Sequence, residues 1–311
     1  MKYLFIVNPI AGGVDRTSEV TQLAEKAFKN HPDDEFEIYV TKCEGDDTAE
    51  VQRRAQSGEE IRILSCGGDG TFNGCCNGAA YRDNISIAPF PIGTGNDFCK
   101  MFGDEQKLFL DLDAIIEGST HKMDLIDVNG TYSDCIASAG LDARVGTNVH
   151  NYTHLPLCHG PGAYVISLIV ELTRGLTMNM KITADTFSFE GPVMLCCVCN
   201  ARHYGGGFNP SSEAMPDDGL LDIVIAKKMH LAKIIKYIGK YASGRVKEIN
   251  EKYFEYHQAS ELKIELEDEN VINVDGEAIY GKTIDMKVCP EAINLIVPKG
   301  MTFFNKKTSD K

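Results

Sequence analysis

Through the first 125 residues, short apolar runs alternate with segments whose apolar positions recur at helical spacing. KYLFIV (2–7), EFEIYV (35–40), IRILSC (61–66) and ISIAPFPIG (85–93) read as strands. Between them, TSEVTQLAEKAFKN (17–30) sets Val20, Leu23, Ala24 and Phe28 on one side of a helix. TAEVQRRAQSG (48–58) predicts a helix ending at Gly58, TFNGCCNGAAYR (71–82) a helix of small residues, and EQKLFLDLDAIIEG (105–118) a further helix. Strand and helix in strict turn predict an α/β domain with a mostly parallel sheet and helices on both faces, three layers in all. Ligands of such sheets bind where strand C-termini lead into helices.

Beyond about residue 125 the pattern changes. KMDLIDVNG, TYSDCIASAG, MNMKITADTFSFEG, PVMLCCVCNA, GLLDIVIAK, ELKIELED, VINVDGEAIY, TIDMKVCPEA and INLIVPKG are short strands punctuated by Gly, Asp, Asn and Pro. They predict an all-β second domain, a sandwich or open barrel. Two helical inserts interrupt it, GAYVISLIVELTRGL (162–176) and MHLAKIIKYIGKYASG (229–244). The boundary is a change of pattern, since no repeat or Pro-rich linker marks it.

Composition narrows the class. At 311 residues, two domains are the default expectation. An apolar fraction of 43% with 24% charged residues is that of an ordinary globular protein. A net charge of −14 argues against a nucleic-acid partner. It argues equally against a polybasic grip on anionic lipid, although a local basic patch could hide in the average. MKYLFIVNPI is too short an apolar stretch for a signal peptide, and AYVISLIVEL is about half of the ~20 residues a spanning helix needs. The eleven cysteines are an odd, scattered set, with Cys75–Cys76 and Cys196–Cys197 adjacent and Cys199 close by. They read as small hydrophobes of a reduced, cytoplasmic protein.

Candidate chemistry sits in three glycine loops. CGGDGTFNG (66–74) follows the third strand and opens a helix, where unpaired N–H groups and the helix dipole favour phosphate. A tight turn with no ligand is the plain alternative. It is not a Walker A loop, since the chain holds no GxxxxGK[ST], and Asn73 spoils the dinucleotide fingerprint. A phosphate loop with a carboxylate and no lysine suggests a metal ion, with Asp69 binding Mg²⁺ directly or through water. NPIAGG (8–13) follows the first strand and PIGTGNDF (91–98) the fourth, each weak alone, together at three strand ends of one sheet much stronger.

NPIAGG, GGDGTFNG and PIGTGNDF, in this order and spacing, resemble the diacylglycerol kinase catalytic domain and its bacterial soluble lipid-kinase branch. SAGLDARV, GPGAYV, NPSSEAMPDDGLLDIVI and NVDGE carry the resemblance through nearly the whole chain. NAD kinases and phosphofructokinases share GGDGT but not GTGNDF or PDDGLLD. The resemblance implies ATP and Mg²⁺ as cofactors and an α/β ATP-binding domain of residues 1–127 and 293–311, to which the last strand returns. Residues 128–292 would then form a β-sandwich lipid-substrate domain. It implies nucleotide contacts from Asn8, Thr41, Gly67, Gly68, Asp69, Gly70, Thr71, Phe72, Asn73, Thr94, Gly95 and Asn96. The Met215 carbonyl, the Asp218 side chain and the Leu220 carbonyl match a mainly structural Mg²⁺ site. Glu277 matches the proton acceptor, and Asp69, Asp97 and Asp124 match acidic residues that organise metal and water.

Without the resemblance, DGE reads as a two-residue hairpin turn with a solvated Glu, and PDDG as a turn before a strand. HNYTHLPLCHG offers His150, His154, Cys158 and His159, but Pro156 breaks any helix and no acidic partner is near, so surface histidines or a loop beside a lipid entrance are the readings. ARHYGGGFNP (201–210) reads as a loop between strands, with a lid as the alternative. The sequence thus predicts a Mg²⁺- and ATP-dependent kinase of a lipid hydroxyl, diacylglycerol or a relative, peripheral to the membrane, with an exposed strand edge that would support a homodimer. A kinase of a soluble acceptor such as NAD, and a catalytically silent nucleotide or lipid sensor, are the alternatives.

Overall fold

Lys2–Val7 (β1), Glu35–Val40 (β2), Ile61–Gly67 (β3) and Ile85–Pro91 (β4) form parallel strands, and in β1, β3 and β4 almost every residue is buried. Continuous burial is what a parallel sheet covered on both faces demands, and it explains why these runs do not alternate. The computed structural model describes residues 1–148, Val170 and 176–308. Two compact units emerge, Met1–Met123 with Glu291–Lys311, and Asp124–Pro290. The divisions fall at 123/124 and 290/291, against the 127/128 and 292/293 that the resemblance implies.

In the first unit the sheet order is β13–β4–β3–β1–β2, where only the end of β13 (Glu277–Val297) takes part, through Asn294 and Leu295 beside Ser86 and Ile87. Helices Thr17–Ala27 (α1), Asp46–Ala55 (α2) and Asp69–Ala79 (α3) join the strands. Val20, Ala24, Ala27 and Phe28 are buried, whereas Leu23, expected on the same face, is exposed. Gly74 and Gly78 let α3 lie directly on α2: a Cβ at the first would strike the Asp47 carboxylate, and at the second Val51 and the Thr48 carbonyl. The helix expected over 105–118 is divided. A 3-10 segment, Gly103–Leu110, gives way to Leu112–Ile116 (α5), because the Asp111 carboxylate accepts the Ala114 N–H at 3.2 Å and starts a new helix. A single turn, Asp97–Lys100 (α4), precedes them.

The second unit is built of strands: Ser119–Val128 (β5, its second half), Thr131–Ser133 (β6), Ile136–Gly140 (β7), Met178–Ala184 (β8), Ser188–Cys199 (β9), Leu221–Lys227 (β10), Phe254–Ala259 (β11), Glu261–Val274 (β12) and the first two-thirds of β13. Leu141–Asn148 (α6) and Leu231–Tyr241 (α7) are its described helices. Several expected strands fuse into longer ones. MNMKITADTFSFEG instead splits at a turn, with Thr183 opposite Ser188. β9 pairs with β8 along its first half and with β7 along its second, and β12 does the same, so these two strands turn the sheet around a shared core. That core holds Ile126, Val128, Ile182, Val198, Ile223, Ile264, Ile272 and Ile284. Two tight hairpins use residue pairs with positive φ, Asn129–Gly130 and Asp275–Gly276, as the mirror-image turns of twisted strands require. Cys196, Cys197 and Cys199 are buried in β9 as small hydrophobes, their thiols pushed well up by burial. His150, His154, Cys158, His159 and the helix expected over 162–176 lie outside the described residues, Val170 and Leu176 apart.

Candidate active site

Four strand ends of the first unit carry the predicted residues, in the spatial order β4, β3, β1, β2. The Asn8 N–H, just past β1, donates to the Cys66 carbonyl at 3.0 Å, and its Nδ2 donates to Thr71 Oγ1 at 3.1 Å. Thr41, just past β2, donates its N–H to the Val7 carbonyl at 2.9 Å. The Gly67 carbonyl accepts from both Ile92 and Gly93. Asn96, in the left-handed region at φ 52°, donates its Nδ2 to the Gly93 carbonyl at 2.9 Å. The three glycine loops are therefore stitched into one rigid rim before any ligand arrives. Thr94 and Gly70 are exposed on it, whereas Thr71, Phe72 and Asn73 are buried, the Phe72 ring lying 4.6 Å from that of Phe98. Residues 71–73 thus present no exposed side chain to a nucleotide.

Asp69, the first residue of α3, is turned into this rim. Its Oδ1 accepts the Asp97 N–H, and its Oδ2 sits where a side chain at Gly95 would have to be. Burial first, and the charge of Asp97 second, raise its carboxyl to about 6, against the pull of backbone amides from Asn96 to Phe98. Asp97 is itself buried and holds Lys100 Nζ at 2.6 Å. Two carboxylates, only one of them paired with a lysine, at the N-terminus of an eleven-residue helix make a place where a further cation is favourable.

Two of the four glycines in CGGDGTFNG are accounted for by packing: a Cβ at Gly67 would strike the Thr71 side chain, and at Gly74 the Asp47 carboxylate. At Gly68 a Cβ would make only ordinary contact with Gly93, 3.6 Å from its Cα, whereas a Cβ at Gly93 would strike the Gly68 backbone. Gly70 alone faces open space. A matched pair of substitutions separates the two roles. Gly95→Ala is expected to destabilise the ligand-free protein by roughly 1–3 kcal/mol, through overpacking against Asp69. Gly70→Ala is expected to leave it unchanged or up to ~1 kcal/mol more stable, since Ala is the better helix former, while weakening ATP binding. Urea denaturation and nucleotide titration measure the two effects, and equal destabilisation by both variants would contradict the division.

In the second unit, Asp124 is almost fully buried, at 2% exposure. Its N–H donates to the Pro216 carbonyl at 2.7 Å and its Oδ2 accepts the Gly219 N–H at 2.8 Å. It thus ties β5 to the MPDDGL loop, where Asp218 Oδ1 accepts the Leu220 N–H at 3.1 Å. Met215, Asp218 and Leu220 are brought into one tight turn, and its oxygen donors are of the hard kind Mg²⁺ takes. Glu277 is exposed and opens β13, directly after the Asp275–Gly276 turn. The Asp275 carboxylate, which sequence reasoning missed, fixes that turn. It accepts N–H groups from Asp134 (2.8 Å), Cys135 (3.3 Å) and Ile136 (2.8 Å). With Asp134 and Cys135 it is also the one cluster of three metal-type side chains among the described residues, but its acceptors are occupied by amides and Cys135 donates its thiol to Asp134. An Asp at the first position of such a turn is ordinary, so the sequence held no sign of a partner about 140 residues away.

The same unit encloses an apolar cavity of about 360 Å³. Leu141, Met194, Phe208, Ile234, Tyr237 and Phe254 contribute to its wall. ARHYGGGFNP closes one side of it, with Gly205–Gly207 held in a loop by pairing of Tyr204 with Phe208. A polar cluster of Tyr204, Asp142 and Tyr241 interrupts the lining. Tyr204 donates its hydroxyl to Asp142 Oδ1 at 2.7 Å and lies 2.8 Å from the Tyr241 hydroxyl, while burial raises the Asp142 carboxyl.

A parallel-sheet unit with a stitched glycine rim is thus followed by a β unit carrying an acidic loop. Residues 2–128 match the model of the diacylglycerol kinase catalytic domain, and residues 135–297 that of the YegS C-terminal NAD kinase beta sandwich-like domain. A diacylglycerol kinase of Bacillus subtilis is 28% identical over 278 residues, covering 89% of each chain. One from Staphylococcus carnosus is 30% identical over 248 residues, 79% of each. The crystal structure of a diacylglycerol kinase from Bacillus anthracis aligns with a TM-score of 0.71 at 25% identity, over 96% of this chain and 98% of the other. The chain belongs to this family of lipid kinases.

Proposed function

We propose that the protein transfers the γ-phosphoryl group of ATP, with Mg²⁺, to a hydroxyl of diacylglycerol or a closely related lipid. The observation that carries this reading is the rim itself: three loops locked together around a half-buried carboxylate, with Gly70 left open at a helix start. Phosphoryl transfer asks a protein chiefly for positioning and charge stabilisation. The amides at the start of α3 meet the phosphates, and the exposed Gly70 lets them approach. Asn8, Thr41, Thr94, Gly95 and Asn96 shape the remainder of the nucleotide's surroundings. Mg²⁺, when bound, neutralises the charge that phosphates would otherwise bring beside Asp69 and Asp97. The Met215, Asp218 and Leu220 oxygens hold a second, structural ion, supported by Asp124. Glu277, exposed on a rigid turn, takes the proton of the acceptor hydroxyl.

The lipid acceptor is supported by the cavity of the second unit. A volume of about 360 Å³ with an almost wholly apolar wall suits an acyl chain and would leave the polar groups of a soluble adenylate unpaired. Incubation with labelled ATP, Mg²⁺ and a total lipid extract is expected to give one labelled phospholipid class, and a lipid-free reaction with NAD none. Labelling of NAD alone would overturn the reading in favour of a soluble acceptor. No labelling of either, with ATP still bound, would make the protein a silent sensor.

A further inference from the structure

We infer that helix α7 and the segment around it form a docking surface for an anionic phospholipid bilayer. Between Lys227 and Lys247 the chain carries Lys227, Lys228, Lys233, Lys236, Lys240, Arg245 and Lys247 and not one acidic residue. The whole protein has a net charge of −14, so the remainder is more acidic still. An acidic body with one basic face is turned by an anionic surface so that this face leads. Lys227, Lys240 and Lys247 are engaged by Glu255, Glu248 and Glu213. Lys228, Lys233 and Lys236 make no ion pair with a described residue, and Lys233 and Lys236 instead rest on the rings of Tyr237 and Tyr253.

The helix also exposes apolar surface. Leu231 is 52% exposed, Ile235 69% and Ile238 37%, at spacings that set all three in one stripe. Lys233, Lys236 and Lys240 form a second stripe, and only Ala232 and Gly239 lie between the two on the outward side. That arrangement, with no bulk in the middle, lets the helix lie flat with isoleucines in the acyl boundary and lysines at phosphate level. The other side of α7 lines the apolar cavity with Ile234, Tyr237 and Tyr241, and Ile238 belongs both to the exposed stripe and to the cavity wall. The exposed stripe of Leu231 and Ile235 therefore continues at Ile238 into the edge of the cavity. This inference rests on the lipid-kinase reading for its purpose but not for its evidence.

The test is flotation of the protein with vesicles of phosphatidylcholine alone and with one third phosphatidylglycerol, together with turnover of a short-chain diacylglycerol dispersed without vesicles. The wild type is expected to float with the anionic vesicles, release at high salt, and bind the neutral ones weakly. The triple variant Lys228→Gln, Lys233→Gln, Lys236→Gln should lose on the order of a hundredfold in partitioning, roughly fivefold per lysine. Leu231→Ser with Ile235→Ser should also lower it. Turnover of the dispersed substrate should be unchanged in both variants. Equal wild-type binding to both vesicle types, or undiminished binding of the variants, would overturn the docking surface. So would loss of dispersed-substrate turnover in the variants, which would make α7 a part of the cavity only. A change in oligomeric state on sedimentation, with vesicle binding intact, would assign the face to a second copy of the chain. If the wild type phosphorylates no diacylglycerol, the kinase reading falls, while the flotation result still decides the surface.

Discussion

Asp69→Asn is expected to lower lipid phosphorylation by about 10³-fold, the cost of removing a preorganised electrostatic group, and at the same time to stabilise the ligand-free protein at neutral pH. The two effects have one cause. The carboxyl sits at about 6 because it is buried and faces Asp97, whereas in the unfolded chain it would titrate near ~3.9. Between those values the folded protein holds a proton that the unfolded chain has lost, so stability falls as pH rises through this window and stays lower above it. Asn is neutral at every pH and still offers an oxygen to the Asp97 N–H. At pH 7–8 the variant should therefore be more stable by roughly 1–3 kcal/mol, and at pH 4 this advantage should vanish. Thermal melts from pH 4 to 8, with and without Mg²⁺ and ATP, measure it. Mg²⁺ with nucleotide should recover stability in the wild type above pH 6 and not in the variant. Normal turnover in Asp69→Asn would remove the metal role, and a melt as pH-dependent as the wild type's would remove the electrostatic account.

The second large effect is at Glu277. Glu277→Gln keeps the shape of the residue and should leave stability within about 0.5 kcal/mol, because the side chain is exposed. Turnover should fall by roughly 10²–10⁴-fold, the range for loss of a general base. The acidic limb of the pH–rate profile, along which a carboxylate base becomes ionised, should disappear with it. The turn beneath Glu277 does not depend on its charge: Asp275 holds residues 134–136, which lead into β7, through three amides, and the Gly276 N–H donates to Asn273 Oδ1 at 3.1 Å. A variant with normal turnover and an unaltered pH profile would show that another group takes the proton.

Much of the architecture was legible because each element carried its own period. β1, β3 and β4 are mostly apolar runs without strict alternation, as buried parallel strands tend to be, and Asp275–Gly276 read as a hairpin by turn chemistry alone. Where the reading slipped, a long-range or capping contact had overridden the local pattern. Leu23 has the spacing of a core residue yet faces solvent, and Asp111 ends one helix and caps another inside a stretch that looks continuous. The strands of the second unit ran longer than their punctuation suggested, because β9 and β12 each serve two neighbours in succession.

By itself the sequence determined the alternation of strand and helix, the change to strands near residue 125, and the three glycine loops that must lie at one edge of a parallel sheet. Strand polarity guarantees that last point, since every loop following a parallel strand opens on the same side. Which glycine does what was decided only by the tertiary structure. Glycine is required wherever two backbones or a backbone and a ligand come too close for a Cβ, and the chain cannot state which neighbour arrives. Gly67 accommodates Thr71, Gly93 accommodates the Gly68 backbone, Gly74 lies on Asp47, and Gly70 remains open. The same holds for Asp69: its position at a helix start is written in the sequence, but its burial against the Asn96–Phe98 amides, and the raised pKa that follows, exist only once the loop after β4 has folded over it.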